Sequence, residues 1–454
     1  MISRRDLLKI SGLAALATRS HALGRDAPEP DYRLQIAEVT LDLSPRHTLK
    51  TVAYNGQAPG PLLRFKEDQP VTIEVINRTD RPEVVHWHGL FIPPEVDGAM
   101  EEGTPAIAPR SSARYTFTPK PAGFRWYHTH TMAKNDLSRA QYTGQHGFLM
   151  IEPRENPAPY DQEFFLALHD WGGHLLASDD GAMSPSYAVS TINGRAMGSG
   201  EPLRVRQGQR VLLHILNSSP TEVHWLALAG HSLQVLALDG NAVPNPRAVP
   251  MLRLAPGERV CALAEMNNPG VWILGEVRKH VQALGMAIAV EYENQAGGLR
   301  WDQPSALIWN YEQFAAAPSA AVGPDGNSAE PPTLIPLVFD ARFRGHGAME
   351  GWTINGASYP DVRVAPLISG RRYRLQFINN SVDDHPVHLH RHSFELRRIG
   401  AQNEIRGLMK DVALVDARTR MEVEFTADNP GASLFHCHQQ SHMDGGFMML
   451  FDYA

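Results

Sequence analysis

Apolar and polar residues alternate in short runs along most of the chain. The runs at 71–75 and 373–377 place apolar side chains at every second position, which is the pattern of a strand with one buried face. Such runs end at Gly, Pro or Asn, and apolar residues at helical spacing are scarce. The pattern predicts an all-β protein built of antiparallel β-sandwiches and disfavours alternating strand–helix units.

One unit of sequence occurs three times. The copies begin at the Asn-Gly pairs of Asn55, Asn193 and Asn355, and each reaches a second asparagine 22, 24 and 24 residues later. Further along, a glycine precedes the key position of a second block by five residues in every copy. Repeats of this length are whole structural units, so we expect three similar sandwich domains. Their expected bounds are 31–153, 158–293 and 337–454, with a linker at 294–336.

Composition and the first residues narrow the class of protein. The 454 residues are 43% hydrophobic and 20% charged, which is globular, and the net charge of -7 excludes the basic footprint of a nucleic-acid-binding protein. Segment 1–22 has paired arginines, an apolar stretch and a small-residue cleavage site, and it resembles a twin-arginine signal peptide. We therefore expect export by the twin-arginine machinery to the periplasm or the exterior, with no membrane span.

Ten of the 21 histidines lie in four short clusters. Two histidines at positions i and i+2 of a strand share one face, and imidazole is a common ligand for copper, zinc and iron. Each His-x-His pair can therefore hold a metal from one side. The clusters are His86/His88, His128/His130, His385/His388/His390 and His436/His438/His442.

The first and third units carry these histidines at matching positions. His86 and His388 both lie nine residues after the second asparagine of their unit. The middle unit keeps His224 but has Leu226, Gly275 and Val277 at the other positions. We therefore expect eight imidazoles of the outer units to meet at one interface, with the middle unit as a spacer.

The two cysteines have different expected roles. Cys437 lies between His436 and His438, so strand alternation directs its sulfur to the opposite face and joins two metal centres through a few covalent bonds. One thiolate with two imidazoles, here His385 and His442, is the trigonal set of a blue-copper site. Cys261 lies in an apolar run and is expected to be a small buried hydrophobic residue.

At these motifs the sequence resembles the multicopper oxidases, three-domain cupredoxin proteins that include the laccases. The resemblance covers the whole mature chain and implies four copper ions. By this resemblance a type 1 copper is held by His385, Cys437 and His442, and a type 2 copper by His86 and His388. The implied type 3 pair is held by His88, His128, His130, His390, His436 and His438.

The resemblance also implies the reaction. Single electrons are taken from a reducing substrate at the type 1 site and passed through Cys437, and dioxygen is reduced to water at the trinuclear cluster. We expect a laccase-like oxidase of phenols or aromatic amines. The family's axial methionine position holds Phe447, which cannot coordinate, so we expect a three-coordinate type 1 copper of raised potential. The alternative is that a local shift brings Met448 to the metal.

The sequence departs from the family pattern at two further positions, Met443 and Arg391. Many bacterial members have a glutamate after the last histidine, whereas this chain has Met443. Asp97 matches the family's other acidic residue near the type 2 copper, so we expect it to be the proton relay rather than only a turn cap. Arg391 replaces a usual glycine after His390 and is expected to be a solvated surface residue. Unpaired histidines such as His224 are expected to be hydrogen-bonded polar residues, not ligands.

Other functions remain open on the sequence alone. The nearest alternative is an oxidase of cuprous or ferrous ions, although residues 301–410 contain only Met349 and Met409 as soft thioether ligands. A non-enzymatic envelope protein of the same fold is a more distant alternative, because such relatives have lost their copper ligands. Copper nitrite reductase is disfavoured, since its subunits have two domains.

Overall fold

The computed structural model describes residues 28–153, 159–177, 183–306, 309–316, 330–343, 349–401 and 404–453. Strands dominate these residues and form three sandwiches of two main sheets each, which confirms the predicted all-β fold. Within the described ranges, no helix is both long enough and apolar enough to cross a bilayer. The signal peptide expected at 1–22 lies outside these ranges.

The first sandwich contains eight strands: β1 (Tyr32–Ser44), β2 (His47–Tyr54), β3 (Gly60–Lys66), β4 (Val71–Asn77), β5 (Val85–His88), β6 (Ser112–Phe117), β7 (Gly123–Thr129) and β8 (His146–Glu152). Its sheets have the orders β2-β1-β4-β6 and β3-β8-β7-β5. A short helix, α1 (Pro94–Asp97), and the 3₁₀ turns Met100–Glu102 and Ala140–Tyr142 lie in its connections.

The second sandwich follows with thirteen strands: β9 (Gln162–Trp171), β10 (His174–Ala177), β11 (Met183–Ser186), β12 (Val189–Ile192), β13 (Leu203–Val205), β14 (Arg210–Asn217), β15 (His224–Leu228), β16 (Leu233–Leu238), β17 (Asn241–Val249), β18 (Leu252–Leu254), β19 (Arg259–Glu265), β20 (Val271–Glu276) and β21 (Ala287–Tyr292). Its main sheets are β12-β9-β14-β19-β16-β17 and β13-β21-β20-β15-β18, and β10 pairs with β11. Helix α2 (Lys279–Ala283) precedes β21.

The third sandwich has eleven strands: β22 (Thr333–Phe343), β23 (Met349–Ile354), β24 (Ala365–Leu367), β25 (Arg372–Asn379), β26 (His385–Leu389), β27 (Phe394–Ile399), β28 (Met409–Lys410), β29 (Val412–Val415), β30 (Arg420–Thr426), β31 (Ser433–Cys437) and β32 (Met448–Tyr453). Its sheets are β23-β22-β25-β30-β27-β28 and β24-β32-β31-β26-β29. Helix α3 (Gln440–Asp444) lies between β31 and β32.

The repeated asparagines have one structural role in all three sandwiches. The side-chain amide of Asn379, at the end of β25, donates to the carbonyl of Asp383 at 2.8 Å and accepts from the amide of Ser381 at 2.9 Å. Asn77 and Asn217 make the equivalent bonds at the ends of β4 and β14. Each asparagine therefore holds the segment that leads into β5, β15 or β26.

The Asn-Gly pairs that begin the repeats form one kind of tight turn. The φ angles are 51°, 53° and 53° at Asn55, Asn193 and Asn355, and those of the following glycines are 76°, 70° and 83°. Positive φ at two successive residues is the requirement of a type I′ turn, which asparagine and glycine tolerate best. The sequence repeat thus reflects a backbone requirement that recurs in each domain.

The strands that carry the clustered histidines differ in burial from the other strands. Strand β4 alternates buried and half-buried residues as the sequence pattern predicts, whereas every residue of β5, β26 and β31 is buried. One face of each such strand meets the core of its own sandwich. The other face meets the histidine strands of the partner domain, so no position is left for solvent-facing side chains.

Part of the segment expected as a linker is packed against the core. A 3₁₀ turn at Tyr311–Phe314 buries both end residues, and Trp309 before it is buried as well. The Tyr311 hydroxyl donates to the Glu258 carboxylate at 2.6 Å and accepts from the Leu414 amide at 3.3 Å. This turn therefore ties the second sandwich to the third.

His224 carries a buried positive charge in the middle domain. Its ring nitrogens lie 2.9 Å from an Asp170 oxygen and 3.1 Å from a Glu276 oxygen. Burial alone would lower the pKa of His224, but the two carboxylates more than offset this and raise it to about 9. Although burial opposes them, His224 and Arg278 lower the pKa of Glu276 to about 2. An imidazolium between two carboxylates thus stands in the domain that lacks the other clustered histidines.

The stability of this arrangement should depend on pH. Because the folded pKa of His224 is raised above about 6.5, its contribution is complete below that pH and is lost as pH rises through about 9. We expect His224→Gln to lower the unfolding free energy by about 3 kcal/mol at pH 6, as for a broken buried ion pair, and by much less at pH 10. Denaturant unfolding across this range measures the difference. His231→Gln is the control, because burial lowers the pKa of His231 and its effect should be constant above neutrality.

Arg391 is buried, so the prediction of a solvated surface arginine is wrong. Its side chain is only 1% exposed and donates to backbone carbonyls of the loop at 429–432 and to that of Ile92 in the first sandwich. Its φ of 63° lies in the left-handed region that favours glycine, so the arginine side chain adds bonds at a position where glycine has the backbone advantage. Sequence spacing alone gives no sign of these carbonyl partners.

Loss of Arg391 should therefore destabilise the protein. We expect Arg391→Ala to lower the unfolding free energy by about 3 kcal/mol or more, because several buried carbonyls lose their donor. Arg398→Ala on the following strand, β27, where the arginine is exposed, should change it by less than about 0.5 kcal/mol. Denaturant titration measures both, and equal effects of the two variants would contradict the structural role of Arg391.

Candidate metal centres

The outer domains present their histidines on equivalent strand pairs. In the first sandwich β5 pairs with β7 so that His86 lies opposite His128. In the third, β26 pairs with β31 so that His388 lies opposite His436. The middle sandwich pairs Leu226 with Glu276 on the corresponding strands. The register therefore matches between the two outer domains and departs from their histidines in the middle one.

Eight imidazoles from the two outer domains come together in one buried group, which we call the eight-histidine cluster. Two ring stacks cross the domain boundary: His88 lies on His388 at 3.8 Å between ring centroids, and His86 lies on His390 at 4.0 Å. All members are at most 1% exposed. The members are His86, His88, His128, His130, His388, His390, His436 and His438.

The hydrogen bonds of four of these rings leave the same nitrogen free. Nδ1 of His86 donates to the Asp97 carbonyl at 2.9 Å, and Nδ1 of His388 donates to the Asp411 carbonyl at 2.7 Å. His128 and His436 likewise donate from Nδ1 to backbone carbonyls at 2.8 Å. A proton held on Nδ1 leaves a lone pair on Nε2, which is the arrangement of a metal-ligating histidine with its outer partner.

In His88 the hydrogen-bonded nitrogen is Nε2 instead of Nδ1. Its Nε2 lies 3.2 Å from an Asp411 carboxylate oxygen, so its Nδ1 is the nitrogen left for a ligand. That Nδ1 is 3.4 Å from Nε2 of His128. His438 makes no hydrogen bond from either ring nitrogen to the described residues. Its ring is held by packing alone, which includes a close approach of the Gly257 backbone.

The nitrogens converge in three places. The side chains of His130, His390 and His436 form one group, with Nε2 of His436 at 3.3 Å from that of His130 and 3.0 Å from that of His390. The His88, His128 and His438 rings form a second, with centroids 5.1 to 5.6 Å apart. His86 and His388 complete the cluster, and the Nε2 atoms of both are buried without a partner among the described residues.

The protonation state of these rings suits binding of a metal cation. Burial lowers the pKa of seven of these imidazoles well below the usual value, and neighbouring rings lower it further. The rings are therefore neutral near pH 7, with lone pairs available. Buried nitrogens without partners, on rings whose outer nitrogens are hydrogen-bonded, fit a site for late first-row transition metals such as copper.

A second group, the Cys437 cluster, lies on the other face of β31. Sγ of Cys437 is 3.8 Å from Nδ1 of His385 and 3.5 Å from Nδ1 of His442, and these two nitrogens are 3.0 Å apart. Burial raises the pKa of the Cys437 thiol, so a bound cation is needed to hold it as thiolate. One sulfur and two imidazole nitrogens at these separations fit a trigonal copper site.

Phe447, not Met448, lies against the Cys437 cluster. The Phe447 ring is 4.7 Å from the His385 ring, and the Phe447 carbonyl accepts from the Cys437 amide at 3.1 Å. Met448 packs on the other side of β32 with Ala99, Leu434 and Met443. Strand alternation accounts for this difference, because Phe447 immediately precedes β32 and successive residues of an extended chain point to opposite faces. The alternative of a local shift that brings Met448 to the metal is therefore disfavoured.

The two histidines of the Cys437 cluster differ in exposure. Ser381 binds Nε2 of His385 at 2.8 Å, and His385 is 0% exposed. His442 is 8% exposed, and its Nδ1 faces the cluster, so its outer edge is the one near solvent. The Trp352 ring packs against both, at 4.7 Å from His385 and 4.3 Å from His442. The exposed edge of His442 is thus the route to the cluster that the described residues leave open.

Asp97 is fully buried and contacts both rings of the stacked pair His86 and His390. One carboxylate oxygen lies 3.0 Å from Nδ1 of His86 and 2.9 Å from Nδ1 of His390. The 3₁₀ turn after α1 brings in a second carboxyl group, that of Glu102, at 3.5 Å from His390. Burial and the charge of Asp97 raise the pKa of Glu102 well above its usual value. Met443, where many relatives have a glutamate, is buried among apolar side chains.

Two acidic residues near the cluster, Glu102 and Asp411, were not expected from the sequence. Each lies outside the histidine motifs, so spacing could not single them out. The unpaired histidines include satisfied polar residues: His224 binds two carboxylates, and His231 binds the Tyr292 hydroxyl at 2.6 Å. Cys261 is buried as expected but is not purely apolar in its contacts, since its sulfur lies 3.1 Å from Nδ1 of His214.

Comparison with known proteins identifies the family. Three multicopper oxidase family models match the chain, at residues 35–156, 162–294 and 332–454. The chain is 27% identical to the multicopper oxidase MmcO of Mycobacterium tuberculosis, over 97% of this chain and 94% of that one. It is 23% identical to copper resistance protein A of Escherichia coli, over 98% of both.

Solved structures agree. A multicopper oxidase from Pseudomonas thermotolerans is 27% identical and superposes with a TM-score of 0.73, over 93% of this chain and 98% of that one. Other matches bear the names of laccases and of a metallo-oxidase. With three matching domains and two buried ligand groups at the expected motifs, the chain belongs to the multicopper oxidase family.

Proposed function

We propose that the protein is a laccase-like oxidase that couples one-electron oxidation of phenols or aromatic amines to four-electron reduction of dioxygen to water. One observation carries this proposal. The Cys437 cluster and the eight-histidine cluster lie on opposite faces of a single strand, β31, so a few covalent bonds join a one-electron site to a multinuclear site.

Four copper ions are the proposed cofactors, and they supply the redox chemistry when bound. A type 1 copper is assigned to His385, Cys437 and His442, and a type 2 copper to His86 and His388. The type 3 pair is assigned to His88, His128 and His438 for one ion and to His130, His390 and His436 for the other. The buried, partnerless Nε2 atoms of His86 and His388 support the type 2 assignment in particular.

Asp97 is proposed to hold and pass protons beside the eight-histidine cluster. Its carboxylate bonds to His86 and His390 orient both rings, and the buried carboxyl group of Glu102 lies on the same side. With Met443 in place of the usual glutamate, these are the acidic groups that the described residues place against His390. Asp97 therefore combines an orienting role with the proton relay.

The surroundings of His442 favour an organic reductant. Two acidic residues of the third domain on this side, Asp384 and Asp416, are both paired with Arg253 at 2.8 Å. One guanidinium offsets one of these two negative charges, which weakens the two aspartates as docking ligands for a cation. Residues 301–410 contain only Met349 and Met409, so soft ligands for cuprous ion are scarce in that stretch.

An oxidase of cuprous or ferrous ions is the second candidate. It is supported by the likeness to copper resistance protein A over nearly the whole chain. In either case we propose that the three domains correspond to 31–153, 158–293 and 337–454. We also propose that segment 1–22 directs twin-arginine export, which places the enzyme in the periplasm or outside the cell.

The substrate class can be tested on the purified mature protein loaded with Cu(II). We expect four coppers per chain, an intense blue thiolate absorption band, and dioxygen uptake that is faster with a phenol than with Cu(I) or Fe(II) at equal concentration. Faster uptake with a metal ion would assign the enzyme to the metallo-oxidases. Absence of the blue band would refute the type 1 assignment.

A substitution at the axial position, Phe447, should change the reduction potential of the type 1 copper. We expect Phe447→Met to lower the type 1 reduction potential, because a thioether can then approach the copper from the axial side. Met448→Leu should leave the potential unchanged, since Met448 faces away from the Cys437 cluster. Redox titration of the blue band measures both. An unchanged potential in Phe447→Met, or a shift in Met448→Leu, would refute the three-coordinate assignment.

The proton relay predicts a selective loss of turnover. We expect Asp97→Asn to bind its coppers but to lower kcat for dioxygen reduction by about 10²-fold or more, as for loss of a general acid–base group. Reduction of the blue band by substrate under anaerobic conditions should keep its normal rate. Full turnover in a variant with four bound coppers would refute the relay role of Asp97.

A further inference from the structure

We propose that the middle domain, which supplies no metal ligand, positions the eight-histidine cluster through the segment Gly257–Arg259. This inference rests on the proposed function, because the affected site is the assigned trinuclear copper site. The segment lies at the start of β19 and reaches histidines of both outer domains. It acts on them through Asp411 and by direct packing against His438.

Asp411 links two histidines of different domains. Its carboxylate binds Nε2 of His88 at 3.2 Å, and its carbonyl accepts from Nδ1 of His388 at 2.7 Å. These two rings are stacked on each other at 3.8 Å, with 12° between their planes. Asp411 thus decides which nitrogen of each ring faces the metal: Nδ1 for His88 and Nε2 for His388.

Arg259 of the middle domain fixes the carboxylate of Asp411. Its two terminal nitrogens lie 2.5 and 2.6 Å from the two carboxylate oxygens, in a bidentate pair. Arg125 of the first domain adds a third contact at 3.2 Å. All three side chains are 0% exposed. A bidentate guanidinium restricts both position and rotation of a carboxylate, which a single point charge does not.

Further charges hold this pair in place. Oδ2 of Asp239 accepts from the amides of Asp411 and Val412 at 3.3 and 3.1 Å, and it lies 2.8 Å from Nζ of Lys410. Lys410 also lies 2.9 Å from Glu258. The three cations and three carboxylates of this group are all buried. Its charges therefore balance within the junction where the three domains meet.

Gly257 provides the second, independent contact. Its carbonyl accepts from Arg259 at 3.0 Å, and its φ is 85°. A Cβ atom at this position would lie 2.7 Å from the ring of His438, so only glycine leaves room for that ring. Since neither ring nitrogen of His438 has a hydrogen-bond partner among the described residues, this packing is part of what orients it.

The test compares two arginines of the middle domain that bridge to the third. We expect Arg259→Gln to weaken copper binding at the eight-histidine cluster by about 10–100-fold, the usual effect of losing an outer partner of a metal ligand. Its copper content should fall below four per chain, with a changed EPR signal of the eight-histidine cluster and a normal blue band. Arg259→Lys should recover only part of the binding, because it is not bidentate.

Arg253→Gln is the matched control, since Arg253 bridges to Asp384 and Asp416 without touching the eight-histidine cluster. We expect it to keep the wild-type copper content and type 2 signal. Wild-type copper content and EPR signal in Arg259→Gln would overturn the inference, and so would an equal loss in Arg253→Gln. Unfolding of the copper-free variants shows whether any loss follows from general destabilisation.

If Arg259→Gln does not fold, Asp411→Asn gives the decisive measurement. The amide keeps the size of the side chain and the backbone bond to His388, but it removes the charge that Arg259 holds. Wild-type copper content in this variant would overturn the inference. Wild-type protein without four coppers and a blue band would instead refute the proposed function, which separates the two failures.

Discussion

A buried imidazole can bind a metal only if one ring nitrogen is unprotonated, and a hydrogen bond from the other nitrogen fixes which one that is. Eight such rings lie at one domain junction in this protein, and burial keeps at least seven of them neutral near pH 7. Backbone carbonyls and two carboxylates then hold the outer nitrogens of six of them. The rest of the architecture serves this requirement: strands of the two outer domains place the carbonyls, and the middle domain adds Arg259, which holds the Asp411 carboxylate.

The elements that face solvent on one side were predictable from sequence, because β4 and β25 keep the period of two that burial of one face imposes. The repeat was predictable for a similar local reason: the Asn-Gly turns need positive φ, and the second asparagines bond to their own following segments. The histidine strands could be recognised by spacing, and their metals by resemblance to the family. These features depend on neighbours in the chain or on one strand.

Features that depend on how the three domains pack together could not be predicted from the sequence. Arg391 was expected to be a surface residue, but carbonyls of the loop at 429–432 surround its side chain. Asp411 lies more than three hundred residues from His88 along the chain, so spacing does not connect the two. The middle domain, expected as a spacer, contacts the cluster through a glycine and an arginine that belong to no metal motif. Such contacts arise from the relative placement of whole sandwiches, which no local pattern encodes.

The eight-histidine cluster has a consequence for the order of folding. Its strands belong to the beginning and the end of the chain, and His390 reaches Asp97 across 293 residues. Contacts at such separation form late, after the domains that carry them have closed. The cluster therefore does not exist in a partly synthesised chain, and ions that bind it stabilise the docked state over the separated domains by mass action. Copper ions bound at the cluster would hold the first and last domains together. Their loss should separate the domains before any single sandwich unfolds.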